Sequence, residues 1–183
     1  GSGATSTVAN LALAFAAADH KVLVIDANFR RPSLHRVFGL PDAPGLADVL
    51  SRTNDFATVV QQGVAPNLDM LAAGSKEHRV FERLSTDSMT DLLAHAKANY
   101  DLVLIDVAPA IVAGDGVALA HRCDASVLVV RALSEKRGMV ARIKNDLTDA
   151  RSEFLGVIVN GVHSARGGYM KGNIKAQHEY QKS

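Results

Sequence analysis

A chain of 183 residues, 48% hydrophobic and 21% charged, can bury one substantial core, which excludes a disordered or fibrous polymer. Its 20 Lys and Arg balance 19 Asp and Glu to a formal charge of +1, so no strong field demands a nucleic-acid or acidic-lipid partner. The single cysteine, Cys123, excludes an internal disulfide framework, the seven histidines lack metal-ligand spacing, and no apolar run reaches the ~18–20 residues that span a bilayer.

The chain opens on Gly1-Ser2-Gly3-Ala4-Thr5-Ser6-Thr7, a Gly-rich turn in front of an apolar helical run. Free backbone N–H groups and the helix dipole make such a place a seat for phosphate. Against the pattern G-x-x-x-x-G-K-[ST], Gly3 takes the second glycine and Thr5 the hydroxyl position, but Ala4 stands where lysine belongs. Val8 to Asp19 predicts a helix apolar on nearly all sides, and so one packed deep in the domain.

Lys21 to Asp26 (KVLVID) has the pattern of a buried parallel strand with an acidic tip. Pro41 to Pro44 reads as a loop, Gly45 to Leu50 as a short helix, Leu68 to Leu71 as a weaker strand, and Lys76 to Arg83 as charged surface. Thr86 to Asn99 carries Met89, Leu92, Leu93 and Ala96 at helical spacing. Asp101 to Asp106 (DLVLID) is a second buried strand ending in an acid. A helix over Gly114 to Arg122, a strand over Ala125 to Arg131, a helix over Ser134 to Arg151 and a strand over Phe154 to Asn160 follow. From His163 a polar tail runs to Ser183, broken at Gly167-Gly168.

Strands alternating with helices predict a single α/β domain over residues 1–183, a three-layer sandwich around a mostly parallel central sheet. Ligands of such sheets bind outside the carboxyl ends of the strands, where Asp26, Asp106 and Asn160 lie. No strand precedes Gly1 to lead into the loop, so the chain reads as an excerpt that begins inside its own phosphate loop, with a gap left in the sheet.

Asp26 can hold Mg²⁺ through water or take a proton from an attacking hydroxyl, although a turn acid would look the same. Asn28 faces the same way two residues on, and Arg30 and Arg31 suit a phosphate or a neighbouring carboxylate as well as plain surface. Asp106 fits the apolar-run-then-Asp pattern that binds a Mg²⁺ water in phosphate-loop enzymes. Asp115 is explained by helix capping. Asn160 can meet an adenine edge or cap the turn at Gly161, and Arg131 can reach a phosphate or end its strand. Tyr169 and Tyr180 are candidate phosphoacceptors, or ordinary surface tyrosines.

In series, GSGATSTVANLALAFA, KVLVIDANFRRPSLHRVFGLPDAPGLADVL, YDLVLIDVAPAIVAGDGVALA, ASVLVVRA and FLGVIVNGV resemble the cytoplasmic domain of bacterial tyrosine kinases of the polysaccharide co-polymerase system. The segment RRPSLHRVFGL…GLADVL separates that family from the related partition and Min-type ATPases. The resemblance runs from Gly1 to about Tyr169. It implies a P-loop NTPase-like (Rossmann-like) domain that binds ATP or ADP with Mg²⁺, the nucleotide held by Gly1, Ser2, Gly3, Ala4, Thr5, Ser6, Arg131 and Asn160.

It also implies Asp26 and Asp106 as catalytic acids, Mg²⁺ ligation through Thr5, Asp26 and Asp106, and autophosphorylation of Tyr169 and Tyr180 between self-associated neighbours. A membrane-spanning co-polymerase activator, on the same or a separate chain, would hold the domain at the inner face of the cell membrane. The output would be control of capsule or exopolysaccharide synthesis and export, with no nucleic acid involved.

Two positions depart from the family. Ala4 replaces the lysine that neutralises phosphate charge, and Asn28 replaces the second acid of the Asp-x-Asp motif. Removing one such electrostatic element typically costs ~3–4 kcal/mol of barrier. These departures imply catalysis and nucleotide·Mg²⁺ binding that are weakened or lost. An engineered Ala4 would leave Asn28 unexplained. Two other classes stand beside the kinase: a non-catalytic interaction module of the polysaccharide assembly complex, and a partition or Min-type ATPase. The last is disfavoured by RRPSLH, by near-neutral charge and by a tail too polar for a membrane helix.

Overall fold

The computed structural model describes residues 2–76, 80–109, 114–132, 134 and 136–162. Along the chain run α1 (Ala4–Ala17), β1 (Val22–Ala27), α2 (Leu34–Phe38), α3 (Leu46–Leu50), α4 (Phe56–Val59), β2 (Gln61–Ala65) and β3 (Leu68–Leu71). Then come α5 (Val80–Arg83), α6 (Asp87–Asn99), β4 (Leu102–Val107), α7 (Asp115–Ala120), β5 (Ala125–Arg131), α8 (Arg137–Thr148) and β6 (Glu153–Asn160).

β1 is the centre of the larger sheet, whose order is β2-β3-β1-β4. Every residue of β1 is buried, as an unbroken run of apolar side chains requires of a strand covered on both faces. Its alternation sorts the core into two layers. Leu23 and Ile25 face α3 and α6 through Leu46, Leu50, Met89, Leu92 and Leu93. Val22 and Val24 face α1 and α2 through Ala9, Ala12, Ala16 and Leu34. Each such aliphatic side chain contributes roughly 1.5–3 kcal/mol by leaving water, so the sheet is fixed by burial on both sides. The fold is the α/β three-layer sandwich expected, with β1 parallel to both β3 and β4.

The five expected strands are all present, but they are divided between two sheets. β5 and β6 pair with each other in parallel, and among the described strands β4 is hydrogen-bonded to β1 alone. The sixth strand, β2, is antiparallel to β3 across a turn at Asn67, which adopts φ 61. Its sequence, QQGVA, has neither the alternation nor the β-branched run of a strand, because an edge position buries little.

α1 begins at Ala4 rather than Val8, since Gly3 in a left-handed conformation (φ 85) lets the helix start at once. Among the described residues only one face of it is covered. Ala9, Ala12 and Ala16 lie against the sheet, while Leu11, Leu13 and Phe15 remain 37%, 41% and 40% exposed. An evenly apolar helix does not reveal which side will find a partner, and a helix on a sheet has one. Within the stretch expected as charged surface, Val80 is buried at the start of α5, and Leu84, just past that stretch, is buried as well. α8 spans Arg137–Thr148, shorter at both ends than the helix expected over Ser134 to Arg151. Among the described residues no helix is long and apolar enough to cross a membrane. The tail from His163 lies outside the described residues.

Candidate functional site

The carboxyl ends of β1 and β4 meet the first turn of α1, and the site grows from that junction. Gly3 caps α1, and the Thr7 N–H is bonded to the Gly3 carbonyl at 2.9 Å. The N–H groups of Ala4, Thr5 and Ser6 belong to the first turn, which has no intrahelical acceptors for them. That turn presents donors and a positive dipole end, but no side-chain cation, because position 4 is alanine.

Parallel pairing sets Asp26 beside Asp106, each the last polar residue of its strand and each almost fully buried. The Thr5 hydroxyl donates to Asp106 Oδ2 at 2.6 Å, and the Ser33 hydroxyl donates to Thr5 Oγ1 at 3.3 Å. Burial pushes the Asp106 carboxyl up to about 6, against the Thr5 bond that lowers it and with the Asp26 charge that raises it. Burial also raises Asp26, although three backbone donors oppose the shift. Those donors are Asn28 N–H on Oδ1 at 3.0 Å, and Ser33 and Leu34 N–H on Oδ2 at 2.9 and 3.0 Å. One carboxylate therefore organises the whole loop between β1 and α2 and retains a single lone pair, on Oδ1, for anything else.

Asn28 is buried and turns inward on the same loop, its Oδ1 accepting the Arg31 N–H at 3.2 Å. It brings no charge to the site. Arg30 stacks over the Phe81 ring at 4.4 Å, and Phe81 also meets Phe29 edge-on. Two carboxylates and a hydroxyl form a hard oxygen set of the kind that holds Mg²⁺ while leaving it several waters. The donor chemistry fits such an ion, and the α1 turn fits phosphate; the lysine charge is what the site lacks.

The second edge of the site is the end of β5 and β6, where Arg131 and Asn160 are partners in register. Asn160 Nδ2 donates to the Ser2 carbonyl at 3.1 Å, and its Oδ1 accepts the Gly161 N–H at 2.7 Å. Ser2, Gly3, Ala4, Thr5, Ser6, Asp26, Asn28, Asp106 and Asn160 are thus brought together, and Arg131 borders them. Gly1, Tyr169 and Tyr180 lie outside the described residues. The contributions of Ser33 and Leu34 were not foreseen; a serine before the apolar LHRVF stretch is an N-cap signal that could have found them. A cavity of about 600 Å³ between α8 and the small sheet, lined by Val130, Val140, Lys144, Val157 and Val159, touches this site only at Arg131.

A family model described as an AAA domain matches residues 1–135. The tyrosine-protein kinase YwqD of Bacillus subtilis is 36% identical over 173 residues, covering 92% of this chain and 73% of that protein. The chain belongs to the bacterial tyrosine-protein kinase family. Tyrosine-protein kinase etk of Escherichia coli K12 is 31% identical over 88% of this chain, which spans only 22% of that longer relative. Among solved structures, the kinase domain of the Escherichia coli tyrosine kinase ETK superposes with a TM-score of 0.85 and 30% identity, covering 91% of this chain and 65% of that one. The VpsO kinase domain follows with a TM-score of 0.82 and 31% identity, covering 89% and 80%. The fold is that of the family's kinase domains, P-loop NTPase-like.

Proposed function

We propose that this chain is a nucleotide-binding tyrosine-autokinase domain whose phosphoryl transfer is weakened by Ala4 and Asn28. The observation that carries the reading is the Thr5–Asp106 hydrogen bond of 2.6 Å, made beside Asp26 at the first turn of α1. A hydroxyl and two buried acids at a helix N-terminus serve a phosphate and its cation; the loop bonds of Asp26 account for that acid but not for the second carboxylate buried beside it. Ser2, Gly3, Ala4, Thr5 and Ser6 would hold the phosphates through backbone donors. Thr5, Asp106 and the remaining lone pair of Asp26 would hold Mg²⁺, which when bound offsets charge on the transferring phosphoryl group. Arg131 and Asn160 border the side left for the base.

The transfer moves a phosphoryl group from ATP to a tyrosine hydroxyl, Tyr169 or Tyr180 of a neighbouring copy. One P–O bond forms as another breaks, ADP leaves, and the hydroxyl proton passes to a carboxylate. Asp106, which accepts only the Thr5 hydroxyl among the bonds described and so keeps lone pairs beyond those a cation would use, is the group to receive it. Among the described residues β4 pairs on one side only, and its other edge would accept a further strand between the two sheets. A membrane-spanning co-polymerase activator on the same or a separate chain, residence at the cytoplasmic membrane face, and control of capsule or exopolysaccharide export complete the proposal.

Two measurements test it. Calorimetry with ATP·Mg²⁺ should register binding, and silence at millimolar ligand would refute a nucleotide site. Anti-phosphotyrosine blotting after incubation with ATP should show faint labelling that Ala4→Lys and Asn28→Asp strengthen. Ala4 itself favours a second reading, a non-catalytic module of the assembly complex, because it removes the one cation of the loop. If nucleotide binds and the doubly restored protein still takes no label, the module reading replaces the kinase.

A further inference from the structure

Asn160 does more than border the site. We infer that its side chain is a positioning latch that clamps the phosphate loop to the end of β6. Four observations converge on it. Both ends of the amide are engaged, Nδ2 with the Ser2 carbonyl and Oδ1 with the Gly161 N–H, so the side chain is held in one orientation. A Cβ built on Gly3 would lie 2.0 Å from Asn160 Nδ2, a contact no real Cβ makes. Gly3 adopts φ 85, the left-handed conformation that turns the chain from Ser2 into α1. Finally, β6 shares no hydrogen-bonded sheet with β1 or β4, so this side-chain bond is a direct tie between the small sheet and the loop.

The latch follows from the backbone. Turning the chain so sharply at Gly3 leaves the Ser2 carbonyl outside α1, with no helical N–H to accept from. The Asn160 N–H supplies a donor for it and fixes the direction of the turn that follows, from which the free amides of Ala4, Thr5 and Ser6 project. The glycine is required twice, once for its φ and once because Asn160 occupies the space of a side chain. The Asn160 amide keeps one N–H and one lone pair. A nucleotide base meeting them would therefore be felt at the loop that holds its phosphates.

This inference rests on the loop being a nucleotide site, so its test has one arm that needs no ligand. Backbone ¹⁵N order parameters of Gly3 to Ser6 in the free protein should fall from the rigid range near ~0.85 towards ~0.6 in Asn160→Ala and in Asn160→Asp. The aspartate variant still accepts from Gly161 but cannot donate to Ser2, so it isolates the latch from general packing. Unchanged order parameters in both variants, with unchanged melting, would overturn the inference.

The ligand arm uses ADP·Mg²⁺ calorimetry. Asn160→Ala should weaken binding roughly fivefold, the worth of one hydrogen bond. Gly3→Ala should weaken it roughly fivefold more in the wild-type background than in Asn160→Ala, because the added methyl displaces the amide only where the amide is present, while the strain at φ 85 is common to both. Equal effects of Gly3→Ala in both backgrounds would refute the latch. If wild-type protein binds no ADP at all, the nucleotide reading fails, and the order parameters alone decide the latch.

Discussion

The two edges of the site are built to different standards. At the β1–β4 edge, Asp26 and Asp106 are 0% and 2% exposed, fixed by parallel register and tied to four donors between them. At the β5–β6 edge, Arg131 and Asn160 are exposed at the end of a two-stranded sheet, with the loop held by one amide. The first edge gains its precision from the core, the second from a single side chain. Chemistry that depends on charge placement belongs at the buried edge, and recognition that tolerates adjustment belongs at the exposed one.

The largest effect expected concerns what the buried edge lacks. If the Asp26–Asp106–Thr5 cluster is sound and only the loop cation is missing, Ala4→Lys should raise phosphotyrosine labelling by roughly 10²–10³-fold, the usual effect of one transition-state electrostatic partner. A rise below tenfold, measured by quantitative blotting, would place the defect elsewhere in the cluster. Next in size is the contrast in opening. Amide exchange in β1 should be slower than in β5 and β6 by about a hundredfold or more, since only β1 is buried along its whole length. Equal protection in the two sheets would show that they unfold as one unit.

Asp26→Ala tests whether the buried carboxylate carries the β1–α2 loop. It strips an acceptor from Asn28, Ser33 and Leu34, so stability should drop by about 3 kcal/mol, or roughly 6–12 °C in Tm. Arg131→Ala at the other edge should stay within about 0.5 kcal/mol. Calorimetric melting of both variants gives the answer.

Asp106 should act with the opposite sign. Its carboxyl, raised by burial to about 6 from 3.8, keeps a proton in the folded protein that the unfolded chain has already released. Stability of the free protein should therefore fall as pH climbs from about 4 to 6 and stay low above that window. Asp26, raised in the same direction, adds to the slope. Asp106→Asn keeps an acceptor for Thr5 without the buried charge, so it should raise stability at pH 8 by up to ~3 kcal/mol and flatten the profile. A variant no more stable than wild type at pH 8 would mean that the charge is better solvated than its burial implies.

The same division explains what the sequence made legible. KVLVID announces its strand and acidic tip because a strand buried on both faces must be apolar until it reaches the site, and DLVLID reads the same way although β4 is half-buried except at Asp106. The parallel sheet covered on both faces and its acidic strand tips were readable from that; the neighbouring places of β1 and β4, which set Asp26 beside Asp106, come only from the folded pairing. β2 was not, because an edge strand of sequence QQGVA imposes no pattern. α2 was not, because five residues complete little more than one helical turn. The Ser33–Thr5 and Asn160–Ser2 contacts span 28 and 158 residues, so only the folded chain brings them together. The coverage of α1 was misjudged for the same reason, since an apolar stripe shows what can be buried and not what is.

The smallest effect bears on how the two sheets are joined. Besides the Asn160 latch, Lys97 of α6 reaches Asp124, just before β5, at 2.6 Å, and Arg122 donates to the Ser85 carbonyl. The Lys97–Asp124 side chains are 49% and 80% exposed, so solvent and salt screen the pair despite its short distance. Asp124→Asn should cost no more than about 1 kcal/mol, and the cost should shrink in molar salt. Its exchange signature matters more than its size. If the pair only decorates the surface, β5 and β6 will open as before. If amides of β5 and β6 exchange faster in Asp124→Asn while those of β1 and β4 do not, the junction between the sheets is held by side chains of modest worth acting together.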